Sequence, residues 1–345
     1  MRYTSPIIIL LLLVSGCASR RGTSESQVLP TASSYLRVGS PHSQGRELQI
    51  AIRRFSPRQG PGPTIWLVGV SHIGDPAYYR NLQELLDTNR VVLYEGVGMK
   101  SARDSSASLA NAHDPLRRET LEQSLQGTLA RSLGLVFQLT AIDYNRPHFQ
   151  NSDLSRRDLE QLIAGSGSDD PPAQGSGGED SADEAEQQFA LLMQALDEGS
   201  WLNSIAKLLL GFIESSPQMR GIARLAMIEM LGGMGGDLEA LAKANPGMEG
   251  LLKVLVEARN AKVMEDVARL LQRKRSRATI AIFYGAAHMK DFEARLSRQF
   301  NYVPREEQWL TAFAVDFQQS GIGTAEQAMI RSMIQWQLET LKSRD

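Results

Sequence analysis

Residues 65–72 read IWLVGVSH and residues 281–288 read AIFYGAAH. Each is a short apolar run rich in β-branched and aromatic side chains, closed by Gly-x-x-His. Runs of this length and composition read as buried strands. A helical pattern follows each one. After the first, Asp75-Pro76 forms a helix start, with an N-cap residue and proline at the first helical position; Tyr78, Leu82, Leu85 and Leu86 then share one face. After the second, Phe292, Leu296 and Phe300 share a face. The chain thus holds a weak internal repeat of strand, Gly-x-x-His and helix. Together with a further short run at Arg90–Tyr94 (RVVLY), the order strand–helix–strand predicts a βαβ unit and an α/β fold with a largely parallel central sheet. The Arg90–Tyr94 strand is expected to lie directly beside the first repeat strand.

Working outward, Glu47–Phe55 alternates as a strand, Thr140–Tyr144 is a candidate third core strand, and Trp309–Val315 is a last strand. Leu121, Leu125, Leu129 and Leu133 predict an amphipathic helix. Residues 164–186 are acidic and of low complexity, which predicts a disordered loop. Residues 187–275 read as a helical subdomain inserted between the early and late strands, with a Met-rich stretch assigned to packing. Residues 318–345 carry a C-terminal helix over 324–342. The globular domain spans 46–317.

The amino terminus sets the compartment. Arg2, the apolar run Ile7–Val14 and then Val14-Ser15-Gly16-Cys17 match a lipoprotein signal peptide, 1–16, cut before Cys17. The apolar run is too short to span a bilayer. Cys17 is the single cysteine, so an exported chain has no other thiol to mispair. Residues 17–45 then read as a flexible tether from lipid to domain. Ala18 and Ser19 follow the cysteine, which favours an outer membrane if the host has one. The formal charge of −2 becomes 36 − 39 = −3 after cleavage, with no basic excess, so nucleic-acid binding is not expected.

Both repeat histidines, His72 and His288, fall at the carboxyl ends of strands, where open α/β sheets bind ligands. Gly69 and Gly285 permit a sharp turn or a close backbone approach. Chance supplies roughly 0.4 Gly-x-x-His spacings for this composition, and the chain has three. The third, Gly39 to His42, sits in the tether and reads as coincidence. Glu95 ends the RVVLY strand and faces the same crevice. Two histidines and one carboxylate make a ligand set for Zn²⁺, Mn²⁺ or Fe²⁺ with an open position. Glu95 is alternatively a general base with no metal, or all three are structural. Asp316 occupies the place after the last strand that parallels Glu95. Ser71 lacks the surroundings of a nucleophile elbow. His113 reads as exposed.

The ordered set Gly69–His72, Glu95, Arg259-Asn260 and Gly285–His288 resembles the TraB/GumN/TIKI group, within a wider set that includes erythromycin esterases and ChaN-type proteins. The resemblance covers residues 47–317, with the acidic loop as an insertion, and IDYNRPHFQNSDLS at 142–155 adds Tyr144, His148 and Asp153. It implies a hydrolase-like fold and a metal-dependent hydrolase of peptide or ester bonds, with Mn²⁺ or Co²⁺ as the ion. His72, His288 and Glu95 would hold the metal or activate water. Arg259 would hold a substrate carboxylate or oxyanion, or else fix Glu95 through a salt bridge. Asn260 would bond to a loop backbone. ChaN-type relatives imply a different outcome, haem or metal binding without catalysis.

Overall fold

A computed structural model describes residues 34–39, 44–96, 124–155, 157, 158, 162, 211, 213–235, 246–273 and 278–342. The signal peptide, Cys17, the acidic loop and His113 lie outside the described residues. The fold is α/β around a mixed seven-stranded sheet.

Its strands are β1 (Leu36–Gly39), β2 (Gly45–Pro57), β3 (Thr64–Val70), β5 (Val91–Tyr94), β7 (Phe149–Asn151), β8 (Thr279–Gly285) and β9 (Tyr302–Asp316). Two short strands, β4 (Ile73–Gly74) and β6 (Val136–Phe137), pair separately. Strands β3, β8, β5 and β7 run parallel in that order. The long β2 runs antiparallel to β3 and pairs along its other edge with β9. Strand β1 joins the first half of β2, so the tether read to residue 45 is shorter than expected. Gly39 closes that strand, so a strand does precede the third Gly-x-x-His, but it is an antiparallel one remote from β8.

The helices are α1 (Pro76–Asp87), α2 (Leu125–Ser132), α3 (Gln138–Ala141), α4 (Pro217–Met234), α5 (Pro246–Gln272), α6 (Met289–Phe300) and α7 (Thr324–Lys342). One core cluster joins the sheet to α1, α2, α4 and α7. A second joins its opposite face to α5 and α6, through Val263, Met264, Val267, Phe292 and Leu296. Each of these fully buried apolar side chains contributes roughly 1.5–3 kcal/mol relative to exposure. A buried ion pair ties the second layer down. Arg53 on β2 meets Glu293 of α6 at 2.6 Å and Glu307 of β9 at 2.8 Å.

Two expectations are corrected. Arg90–Tyr94 does not lie beside the first repeat strand. Strand β8 is inserted between β3 and β5, so the two repeats are themselves neighbours, with Gly69 opposite Tyr284 and Val70 opposite Gly285. Nor is Thr140–Tyr144 a strand. Gln138–Ala141 is a short helix, and Ile142 and Tyr144 are buried from the turn that follows. The parallel strand in that region is β7. Its three residues are too few to show a period.

Candidate functional site

Glu95, Gly285, His72 and His288 meet at the carboxyl ends of β3, β8 and β5. The point where a β-carbon on Gly285 would sit is 3.3 Å from Glu95 Oε2 and 3.7 Å from both His72 Nε2 and His288 Cδ2. The absent side chain of Gly285 is therefore the floor of the crevice. Its backbone φ of −48° needs no glycine, so the requirement is space and not a sharp turn. Gly69 serves another purpose. A β-carbon there would meet Ile50 Cγ2 at 3.0 Å, Ala51 O at 3.2 Å and Met289 Cγ at 3.3 Å, inside the packed sheet.

Each histidine is held by a side-chain amide. His288 Nδ1 lies 2.7 Å from Asn260 Oδ1. Asn260 Nδ2 donates to Asp291 Oδ2 at 2.8 Å, and an ionised carboxylate only accepts, so the amide oxygen must face the ring. Nδ1 of His288 therefore carries the proton, and Nε2 presents its lone pair toward Glu95 Oε1, 3.9 Å away. His72 Nδ1 lies 2.9 Å from Gln138 Oε1, and Gln138 Nε2 donates to the Tyr144 hydroxyl at 2.8 Å. Gln138 also grips the His72 backbone, donating its own N–H to the His72 carbonyl at 2.8 Å. The β4–β6 pair sets this register, opposing Ile73 to Phe137.

The two rings differ in exposure. His288 is buried at 6% exposure, whereas His72 is open to solvent. Burial pushes the His288 pKa down, against the opposing pull of Glu95, so its ring is neutral near pH 7. Glu95 behaves oppositely. Burial alone would raise it, but His288, Arg259, His72 and the Gly285 N–H together bring its pKa to about 2.

A second layer fixes Glu95. Arg259 Nη2 donates to Glu95 Oε1 at 2.6 Å and to Asp153 Oδ2 at 2.8 Å, while its Nε donates to Asp153 Oδ1 at 2.9 Å. The Gly285 N–H donates to Glu95 Oε2 at 2.7 Å. Asp153 is fully buried and also accepts from the Gly96 N–H. The desolvation that would weaken the Arg259 charge is outweighed by these two carboxylates, so it stays protonated. Two carboxylates and one guanidinium leave a net negative charge in the crevice wall.

Of the residues singled out in the sequence, His72, His288, Glu95, Arg259, Asn260, Gly285, Asp153 and Tyr144 line the crevice or hold side chains that do. Gly69 lies within the sheet packing. Asn260 bonds to two side chains and not to a loop backbone. His148 is not part of this group. It precedes β7, at the amino end of the parallel strands, with Nε2 3.7 Å from Asp87. Asp316 is exposed and accepts the Gln319 N–H at a turn. Gln138 and Asp291 were missed. Gln138 carried a signal, being the one polar side chain inside the run Leu135–Leu139.

The kinds of donor here, two imidazoles and a carboxylate, are those a divalent ion takes. Two imidazoles and a carboxylate border a negatively charged crevice, and both Nδ1 atoms have hydrogen-bond partners of the sort that orient metal-binding histidines. The spacing is that of an open crevice. Among the described residues no group of three or more His, Cys, Asp or Glu side chains is gathered closely enough to hold a metal ion. Comparison with known protein families, curated proteins and solved structures found no match to this chain.

Proposed function

We propose that the crevice is the centre of a hydrolase for peptide or ester bonds, of the TraB/GumN/TIKI type, in a protein anchored by lipid on Cys17 outside the cytoplasm. The observation that carries this reading is the amide clamp on each histidine, which leaves His72 Nε2 over the glycine floor and His288 Nε2 facing Glu95 beside it. His72, His288 and Glu95 would hold a divalent ion there. Bound, the ion would supply a water of lowered pKa and polarise the scissile carbonyl.

The chain's own groups prepare that chemistry. Asn260 keeps a proton on His288 Nδ1, so that ring's lone pair stays available at Nε2, and Gln138 holds the His72 ring by its Nδ1. Glu95, with a pKa of about 2, remains ionised at any working pH. It is therefore a fixed negative charge and a poor proton acceptor, which favours the ligand role over the general-base role. Arg259 spends Nε and Nη2 on Asp153 and Glu95, so its part is to hold Glu95 and keep it charged. His72, at the exposed side, is the first of these groups an incoming substrate meets.

The test is elemental analysis of the purified protein, followed by a peptidase and esterase screen. Stoichiometric Mn, Co, Zn or Fe that is lost in both His72→Ala and His288→Ala, with hydrolysis lost in parallel, supports the reading. Hydrolysis that survives complete metal removal overturns the metal's part in it. A Soret band on haem addition, lost in both variants and with no substrate turned over, replaces it with a ChaN-like haem carrier.

A further inference from the structure

Helix α7 is apolar on two faces. Its inner face buries Ile330 and Ile334, each 3% exposed, against the core. Its outer face carries Met329, Met333 and Trp336, exposed at 66%, 50% and 66%. The spacings of four and three residues put these side chains on one stripe. They are three of the five large apolar side chains that stand exposed among the described residues, so the exposure is concentrated, not scattered. Ala325, Ala328, Ser332 and Gln337 fill the rest of that face, which holds no charge between Glu326 and Glu339.

The same layer receives the amino-terminal end of the domain. The Ser34 hydroxyl donates to the Gly235 carbonyl just past α4 at 2.8 Å. A β-carbon on Gly232 would strike Val38, and one on Gly233 would strike Leu338 of α7, so β1, α4 and α7 are in close contact. The buried Arg53 also holds the Ser34 carbonyl at 2.8 Å. The described chain therefore begins, at Ser34, close to the layer that holds α7. Cys17 precedes Ser34 by 17 positions. Even fully extended, that span reaches at most about 60 Å, near 3.5 Å per residue.

From these placements we infer that the outer face of α7 rests on the lipid bilayer to which Cys17 is attached. Trp and Met on an uncharged helix face suit the boundary between headgroups and acyl chains, where such helices bury their apolar side by about 5–10 Å. A second copy of the chain is a poorer occupant. Three anchors per copy fall far short of the roughly 20–30 residues a side of a stable dimer. The inference rests on lipid attachment at Cys17 and is independent of the chemistry in the crevice.

The experiment reconstitutes the full lipidated protein into phosphatidylcholine vesicles containing acyl-brominated phosphatidylcholine, and reads tryptophan quenching. Loss of part of the emission in wild type, with that part absent in Trp336→Phe, is the expected result. A Met329→Glu/Met333→Glu double variant should reduce the same component while its circular dichroism is unchanged. Equal quenching in wild type and Trp336→Phe overturns the inference. So does Trp336 emission that is insensitive to bromine but changes with protein density, which would point to a second copy. A mature chain whose mass shows no lipid on Cys17 overturns it as well.

Discussion

The two Gly-x-x-His units are neighbours in the sheet, yet they are built to different ends. In the first, Gly69 gives up its side chain so that β2 and α6 can pack, and His72 stands open to water. In the second, Gly285 gives up its side chain to the crevice, and His288 is sealed beneath it. The clamps differ as well. Gln138 comes from a short helix in the first half of the chain and ends on a neutral tyrosine. Asn260 comes from the long α5 and ends on the carboxylate of Asp291, which Arg295 also holds. One sequence pattern has yielded a solvent-facing ring and a buried one, because burial is set by what each following segment packs against.

The sharpest way to break this contrast is at Arg259. Arg259→Met leaves Glu95 and Asp153 buried without their cation, and removing one partner of a buried pair costs about 3–5 kcal/mol. Denaturant unfolding should show that loss, centred on the second unit, with hydrolysis abolished. An unchanged midpoint would mean the network is not what holds β5 and α5 together.

Acid should act next. In metal-free protein, the Glu95 pKa falls from 4.5 unfolded to about 2 folded. Its contribution is fully present above pH 4.5 and is lost as pH falls toward 2, amounting to about 3 kcal/mol at most. His288 has a folded pKa below its unfolded value of 6.5, so it also withdraws stability as pH falls below 6.5. Unfolding midpoints measured from pH 7 to 3 should decline in two stages, and Glu95→Gln should remove the lower one.

The glycines sharpen the comparison further. Gly69→Ala should cost about 1–3 kcal/mol through overpacking, with kinetic constants little changed in the protein that remains folded. Gly285→Ala should act on the rates first, because its new methyl enters the crevice and crowds the Glu95 carboxylate at 3.3 Å. Thermal melts and initial rates on both variants decide the matter. The smallest effect belongs to His72→Ala. An exposed site should shift stability by no more than ~0.5 kcal/mol, whereas His288→Ala, which leaves Asn260 and a buried void, should cost clearly more.

Much of this was legible in the sequence. The strands at 64–70 and 279–285, the helix start at Pro76 and the helix over 324–342 follow from local composition and punctuation. Strand order was not legible. The contest between β5 and β8 for the edge of β3 is settled by pairing across the chain, which no local pattern records. The misread stretch Thr140–Tyr144 has β-like composition, but Ile142 and Tyr144 are buried from a turn that delivers Gln138 to His72. The His72–Glu95–His288 grouping was visible as an ordered set. Asp291 was not, since a carboxylate in the first turn of a helix has an ordinary explanation in the helix dipole.

The pairing of β3 with β8 has a consequence in time. Residues 64–70 pair early with β2 along one edge, but the other edge finds its partner only when 279–285 have been made, with a very long loop to close between them. Such long-range pairing slows folding, although doubling the intervening loop adds only about 0.6 kcal/mol to the closure cost. A nascent or prematurely ended chain that stops short of the second unit has half a crevice and no floor. Whatever the crevice does therefore waits until residue 288 has been made.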